Sequence, residues 1–295
     1  MRVTTQRLSV NGVELVYDES GAGDRAFVLV HGFTGYRDDF APRLPELARL
    51  GRTIAYDQRG HGDSTKTGDA ATYSFAQLAD DLRALVDALG LGRFDLLGHS
   101  MGGMVALRFV LANPERVASL VLMDTASEPL TKRLPRQIFD AGAKIGREAG
   151  MEKLLELIRA NPNEQAVRTE ADRRLEREWG AERYAAHLRA RLGRMDVEAF
   201  HRLGVELSEA EPMTPRLGEI RCPTLVLVGE QDAGFLKPAE VMERAIPGAR
   251  RVTLPAAGHS PQLEAPGAWL DAVSEHLRHA RESGVSRSAG RPSAS

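Results

Sequence analysis

Leu96-Leu97-Gly98-His99-Ser100-Met101-Gly102-Gly103 joins two incompatible patterns. Before it runs an apolar, β-type segment that starts at Phe94; after it, Met104, Leu107, Val110 and Leu111 recur at helical spacing until Asn113-Pro114. A Gly-x-Ser-x-Gly turn between strand and helix holds its serine in a strained backbone conformation, and the neighbours must be small for the two backbones to cross. Gly98 and Gly102 supply that room, so Ser100 reads as a nucleophile. Taken alone, the same residues could simply turn the chain at a strand end, and their setting has to decide.

The apolar runs Phe27 to Val30, Arg52 to Tyr56 and Val117 to Met123 show no alternation, which indicates strands covered on both faces. Ser74 and Gln77 have capping-box spacing at the head of a helix that carries Leu78, Leu82, Leu85 and Leu89 on one face. Asn11-Gly12 between Leu8–Val10 and Val13–Tyr17 predicts a hairpin, since both turn residues need positive φ. Strands alternating with helices specify an α/β fold with a mostly parallel central sheet and helices on both faces, whose sites lie at the carboxyl ends of the strands. From 127 to 213 the β rhythm stops and charged helical segments follow one another, which predicts a helical cap inserted between two core segments, 1–126 and 214–281. Strands return at Thr224 to Val228 and Arg251 to Leu254, a last helix is expected from Pro266 to Ala280, and residues 282–295 read as a disordered tail.

Bulk composition excludes several classes of function. Among 295 residues, 39 Lys and Arg nearly balance 41 Asp and Glu, so no nucleic-acid footprint is visible and the partner is expected to be a small molecule. The single cysteine, Cys222, forms no intramolecular disulfide and builds no metal cluster; lying before Pro223 and a strand, it is expected to be buried. The first residues lack the apolar core of a signal peptide and no run spans a membrane, which predicts a cytoplasmic protein. Nothing in the pattern specifies an oligomeric state.

A serine hydroxyl attacks only when a base takes its proton, and the base needs a carboxylate to fix its tautomer. The chain offers Ser100, then Asp232 just past one apolar strand, then His259 just past the next, the order found with Gly-x-Ser-x-Gly elbows. Asp124, also at a strand end, is the rival acid. The backbone N–H groups of Met101, at the start of the helix after the nucleophile, and of Phe33, in the loop after the first central strand, are the expected oxyanion donors. His31 is expected to brace its loop, His99 to point away from the serine hydroxyl, and His61 to lie in a polar turn. No metal or organic cofactor is required by this chemistry.

Across residues 6 to 280 the chain resembles the α/β-hydrolases. His31-Gly32-Phe33 is similar to their oxyanion loop, Asp57-Gln58-Arg59-Gly60-His61-Gly62-Asp63-Ser64 to their arginine–glycine turn, Gly229-Glu230-Gln231-Asp232 to their acid turn, and Gly258-His259 with Leu263-Glu264-Ala265-Pro266 to their base turn. Members with aspartate at the elbow, the dehalogenases and epoxide hydrolases, are excluded by Ser100. The resemblance implies a serine enzyme: carboxylesterase, lactonase, carbon–carbon bond hydrolase, perhydrolase or thioester hydrolase. His31-Gly32-Phe33-Thr34-Gly35 and Phe235 are also similar to menaquinone-pathway lyases, whose aromatic residue before the nucleophile is replaced here by His99. Two other readings follow: carbon–carbon or lyase chemistry on the same three residues, and a slow, ligand-sensing member of the fold. The arginines Arg133, Arg136, Arg147, Arg159, Arg168, Arg173 and Arg174 alternate with glutamates, as solvated helix faces do, although an inward pair could clamp a substrate carboxylate.

Overall fold

The computed structural model describes residues 2–289. In chain order its elements begin with strands β1 (Thr4–Val10), β2 (Val13–Ser20) and β3 (Phe27–Val30), a short helix α1 (Leu44–Leu47), and β4 (Thr53–Tyr56). There follow α2 (Phe75–Ala88), β5 (Phe94–His99), α3 (Met101–Ala112) and β6 (Val117–Met123). Six helices come next: α4 (Arg136–Ala149), α5 (Met151–Ala160), α6 (Pro162–Val167), α7 (Glu170–Trp179), α8 (Ala181–Gly193) and α9 (Val197–Glu209). The chain closes with β7 (Thr224–Gly229), α10 (Ala233–Ala245), β8 (Arg250–Leu254), a short α11 (Pro261–Glu264) and α12 (Pro266–Ala289).

The eight strands form one sheet in the order β1-β2-β4-β3-β5-β6-β7-β8. The β1–β2 hairpin turns on Asn11 and Gly12, both at positive φ, and β2 pairs antiparallel with β4; every other pairing is parallel. Apolar residues cover both faces. On one, α2, α3 and α10 pack Leu78, Leu82, Val105, Leu107, Ala239 and Met242 over the even side of β3 and β5; on the other, α1 and α12 bring Leu44, Leu47, Trp269, Val273 and Leu277. This two-sided burial is why β3 is a solidly apolar run and why β5 and β6 are apolar apart from the buried Asp95, His99 and Ser119. Cys222 is buried beside the start of β7.

Two local details differ from the sequence pattern. Ser74 caps α2 by accepting from the Gln77 N–H at 3.0 Å, but the Gln77 side chain turns to Asp81 instead of closing the box. The last helix continues to Ala289, past Ala280, so the expected tail begins inside it; residues 290–295 lie outside the described residues. No helix among the described residues is long and apolar enough to cross a membrane.

Candidate active site

Strand order sets the site. β5 lies between β3 and β6, with β7 and β8 next in line, so the turns that follow β3, β5, β7 and β8 open on one edge of the sheet. Ser100 stands between β5 and α3 at φ 54° and ψ −118°, a conformation that costs a non-glycine residue roughly 1–3 kcal/mol. The surrounding backbone enforces it. A Cβ on Gly98 would overlap Gly102 O and Gly103 Cα, and one on Gly102 would overlap the carbonyls of Val30 and His31. Only glycine at both positions lets β5, α3 and the end of β3 meet this closely.

His259 reaches the serine from the turn after β8: Ser100 Oγ donates to His259 Nε2 at 3.0 Å, while His259 Nδ1–H donates to Asp232 Oδ2 at 2.6 Å. The histidine is fixed from three directions. Glu264 accepts from the N–H groups of Gly258 (2.7 Å) and Ser260 (3.1 Å), on either side of it. His99 donates from Nε2 to the His259 carbonyl at 2.6 Å, which turns its ring toward the base turn and away from the Ser100 hydroxyl. Phe235 stacks on the His259 ring at 4.9 Å. Burial pushes the His99 pKa down to about 3, so it holds this bond as a neutral imidazole.

The buried Asp232 carboxylate is raised by desolvation, but the His259 ring and the Arg133 guanidinium outweigh this and hold it below the ordinary aspartate value. Arg133 Nη2 lies 3.6 Å from Asp232 Oδ1 and its guanidinium covers Phe235. Asp124 is not the partner of His259. Its Oδ1 accepts from the Gly229 N–H at 2.9 Å, and one of its oxygens lies within 4.8 Å of both an Asp232 oxygen and a His259 nitrogen. Two charges 4.8 Å apart repel by roughly 3 kcal/mol at an effective dielectric of about 20. Burial and the Asp232 charge accordingly drive the Asp124 pKa well above the ordinary value.

The loop after β3 is held by the turn after β4. Gln58 N–H donates to His31 Nε2 at 3.0 Å, which leaves Nδ1 as the protonated nitrogen, donating to Gly32 O at 2.8 Å. Gly35 N–H also donates to Gly32 O, at 3.0 Å. Two donors on that oxygen fix the Gly32–Phe33 peptide plane, and in a trans peptide the Phe33 N–H then faces the opposite way. Gly32 is close to the nucleophile, since a Cβ there would sit 3.2 Å from Ser100 Cβ. Met101 N–H is the first of α3, where no intrahelical acceptor exists. His61 lies in the polar turn after β4 but is buried there, with Nε2 2.6 Å from Phe33 O and Nδ1 3.0 Å from Arg59 O.

Helices between β6 and β7 reach the same edge. Phe139 of α4 and Phe200 of α9 pack on the Phe33 ring at 5.5 and 5.4 Å. Ala171 N–H, on α7, donates to Gln231 of the acid turn at 2.8 Å, and Arg174 donates to Ala256 O (2.8 Å) and Glu264 O (2.7 Å) of the base turn. Arg133 and Arg174 therefore depart from the solvated-face reading, since each docks on a turn of the sheet. Arg136 fits it, pairing with Asp140 four residues on with both side chains half-exposed, whereas the half-exposed Arg147 of α4 reaches across to Glu198 at the start of α9. Arg191 of α8, which the sequence did not single out, lies 3.6 Å from the buried Asp39 beside His187.

Residues 25–266 match the family model described as the alpha/beta hydrolase fold. A protein of Variovorax paradoxus assigned as a carbamate hydrolase is 31% identical over 92% of this chain and 98% of its own length. One of Bacillus subtilis assigned as a 2-succinyl-6-hydroxy-2,4-cyclohexadiene-1-carboxylate synthase is 30% identical over 89% of this chain and 93% of its own. Among solved structures, a thermophilic esterase from Thermogutta terrifontis superposes with a TM-score of 0.78 at 29% identity, covering 95% of this chain and 99% of the esterase.

Proposed function

The chain belongs to the α/β-hydrolase fold family, and from that premise we propose that it is a serine hydrolase of an ester-type bond (ester, lactone or thioester) in a small to medium, largely apolar substrate. The observation that carries this reading is the hydrogen-bonded series Ser100 Oγ, His259 Nε2, His259 Nδ1, Asp232 Oδ2, with the serine on a strained elbow. Ser100 Oγ attacks the carbonyl carbon while His259 Nε2 takes its proton, and Asp232 stabilises the imidazolium. The oxyanion falls to the Phe33 and Met101 N–H groups, each contributing about 3 kcal/mol when preorganised. His259 then protonates the leaving oxygen or sulfur. Water, deprotonated by the same nitrogen, releases the acid and restores Ser100.

The segment 127–213 acts in this reading as a cap, with 1–126 and 214–281 as the core. Support comes from Phe139 and Phe200, which extend the Phe33 surface into an apolar wall, and from α7, which rests on the acid and base turns. A panel of p-nitrophenyl esters of increasing acyl length, turned over by wild type and by Ser100→Ala, tests the reading. Turnover that depends on Ser100 and peaks at one chain length is expected. A folded wild type inert toward all of them contradicts the ester reading and favours carbon–carbon or lyase chemistry on the same three residues.

A further inference from the structure

The site contains a second buried carboxyl whose place the ester mechanism does not explain. Asp124 ends β6 as Asp232 follows β7, and the two strands are paired neighbours. Asp124 is stitched to the strand that carries Asp232: its own N–H donates to Leu227 O at 2.9 Å, and its Oδ1 accepts from Gly229 N–H at 2.9 Å. It does so at φ 44°, in the left-handed region, so its backbone is strained in favour of this placement. The side chain is 1% exposed, and Oδ2 receives no hydrogen bond from a neighbouring donor.

The charged and titratable groups facing the pair are His259 and Arg133 on Asp232, with Glu264 behind the base turn and His99 beneath His259. Both cationic or protonated partners address Asp232, and Glu264 adds a further acid. A single proton shared by the two aspartates therefore belongs on Asp124, whose one donor is the neutral Gly229 N–H and whose Oδ2 has none. We propose that Asp124 is a positioning residue: it stands as a neutral carboxylic acid whose Oδ2–H donates to the Asp232 carboxylate and holds that group in line with His259 Nδ1. This rests on the reading of Asp232 as the acid partner of His259. Asp232 then carries the only full negative charge at that point, and the acid limb of the pH–rate profile reports His259 beside one carboxylate, not two.

The test measures kcat and kcat/KM on a p-nitrophenyl ester across about pH 5 to 9 for wild type, Asp124→Asn and Asp124→Ala, with thermal unfolding to confirm that each is folded. The Asn carboxamide donates as the neutral acid does, so Asp124→Asn should stay within about threefold of wild type with its acid limb unmoved. Asp124→Ala removes the donor; kcat should fall about tenfold, and the limb should move up because Asp232 becomes more basic. An Asp124→Asn limb displaced downward by about half a pH unit or more would show that Asp124 was ionised and overturn the proposal, as would an Asp124→Ala enzyme identical to wild type. Infrared difference spectra against Asp124→Asn supply a readout free of turnover. The carbonyl stretch of a protonated carboxylic acid, present at neutral pH in wild type and lost in the variant, is expected. Its absence overturns the proposal, whereas its presence in a protein with no Ser100-dependent turnover sinks the ester reading and leaves the Asp124 assignment standing.

Discussion

The turns at the sheet edge and the helices between β6 and β7 use the same charged residues to different ends. In the turns, many polar side chains are buried and held by backbone groups or an opposed charge: His31 with Gln58 N–H, Glu264 with two N–H groups, Arg59 with Asp81 in a pair 5% and 1% exposed. Along the helices most pairs are local and half in water, such as Arg136 with Asp140, Arg177 with Glu170, and Lys153 with Glu156. Burial makes the first set geometrically exacting, because an unpaired buried polar group is costly; the second set gains little and can rearrange freely. In this molecule the sheet supplies placement, and the helices contribute only where a side chain crosses back onto a turn.

That contrast can be broken by substitution. Ser100→Ala should lower ester turnover by about 10⁴-fold with little change in thermal stability, since members of such a unit act together. Asp232→Asn should lose about 10³- to 10⁴-fold because the amide favours the wrong His259 tautomer, and a milder loss than that from Asp124→Ala would reverse the roles of the two acids. Arg174→Ala releases Ala256 O and Glu264 O without touching any reacting atom, and kcat/KM should fall about tenfold. At the low end, Arg147→Ala removes a pair whose arginine is 42% exposed and should change stability by no more than about 1 kcal/mol in denaturant titrations. If the Arg174 and Arg147 variants behaved alike in turnover, the distinction between docked and solvated helix residues would fail.

Buried histidines extend the comparison to pH. Burial lowers His99 and His187 to about 3 and His276 to about 4, whereas an unfolded chain titrates near 6.5. Between those values the unfolded chain binds more protons, so the stability held above about pH 6.5 is lost as pH falls toward 4. A calorimetric series should show Tm declining steadily over that window. A flat Tm would mean that these imidazoles are hydrated or paired when folded.

The sheet was readable because its signals are local. Phe27–Val30 is a strand at both ends as its apolar run suggests, Asn11-Gly12 takes the positive φ its hairpin needs, and Ser100, Asp232 and His259 each follow a strand of the parallel part of the sheet, which is enough to bring them to one edge. Docking across the sequence leaves no such mark. Arg174 has an ordinary i,i+4 glutamate in Glu178, and nothing nearby tells that its guanidinium reaches 82 residues onward to Ala256. His61 looks polar among Gly60, Gly62 and Asp63, yet those glycines let the turn fold under the Phe33 loop and bury it. Arg191 meets Asp39 only because α8 lies over the loop after β3. Last, α12 extends to Ala289, past Ala280 where the apolar stripe in the sequence ends.

In the proposed mechanism the elbow makes Ser100 nucleophilic through His259. Labelling with a serine-directed fluorophosphonate, followed by peptide mass mapping and residual ester turnover, addresses it most directly. One adduct on the Ser100 peptide, formed in step with loss of turnover and suppressed in His259→Ala, is the predicted result. Full turnover with Ser100 unlabelled, or labelling that proceeds equally fast without His259, would contradict it.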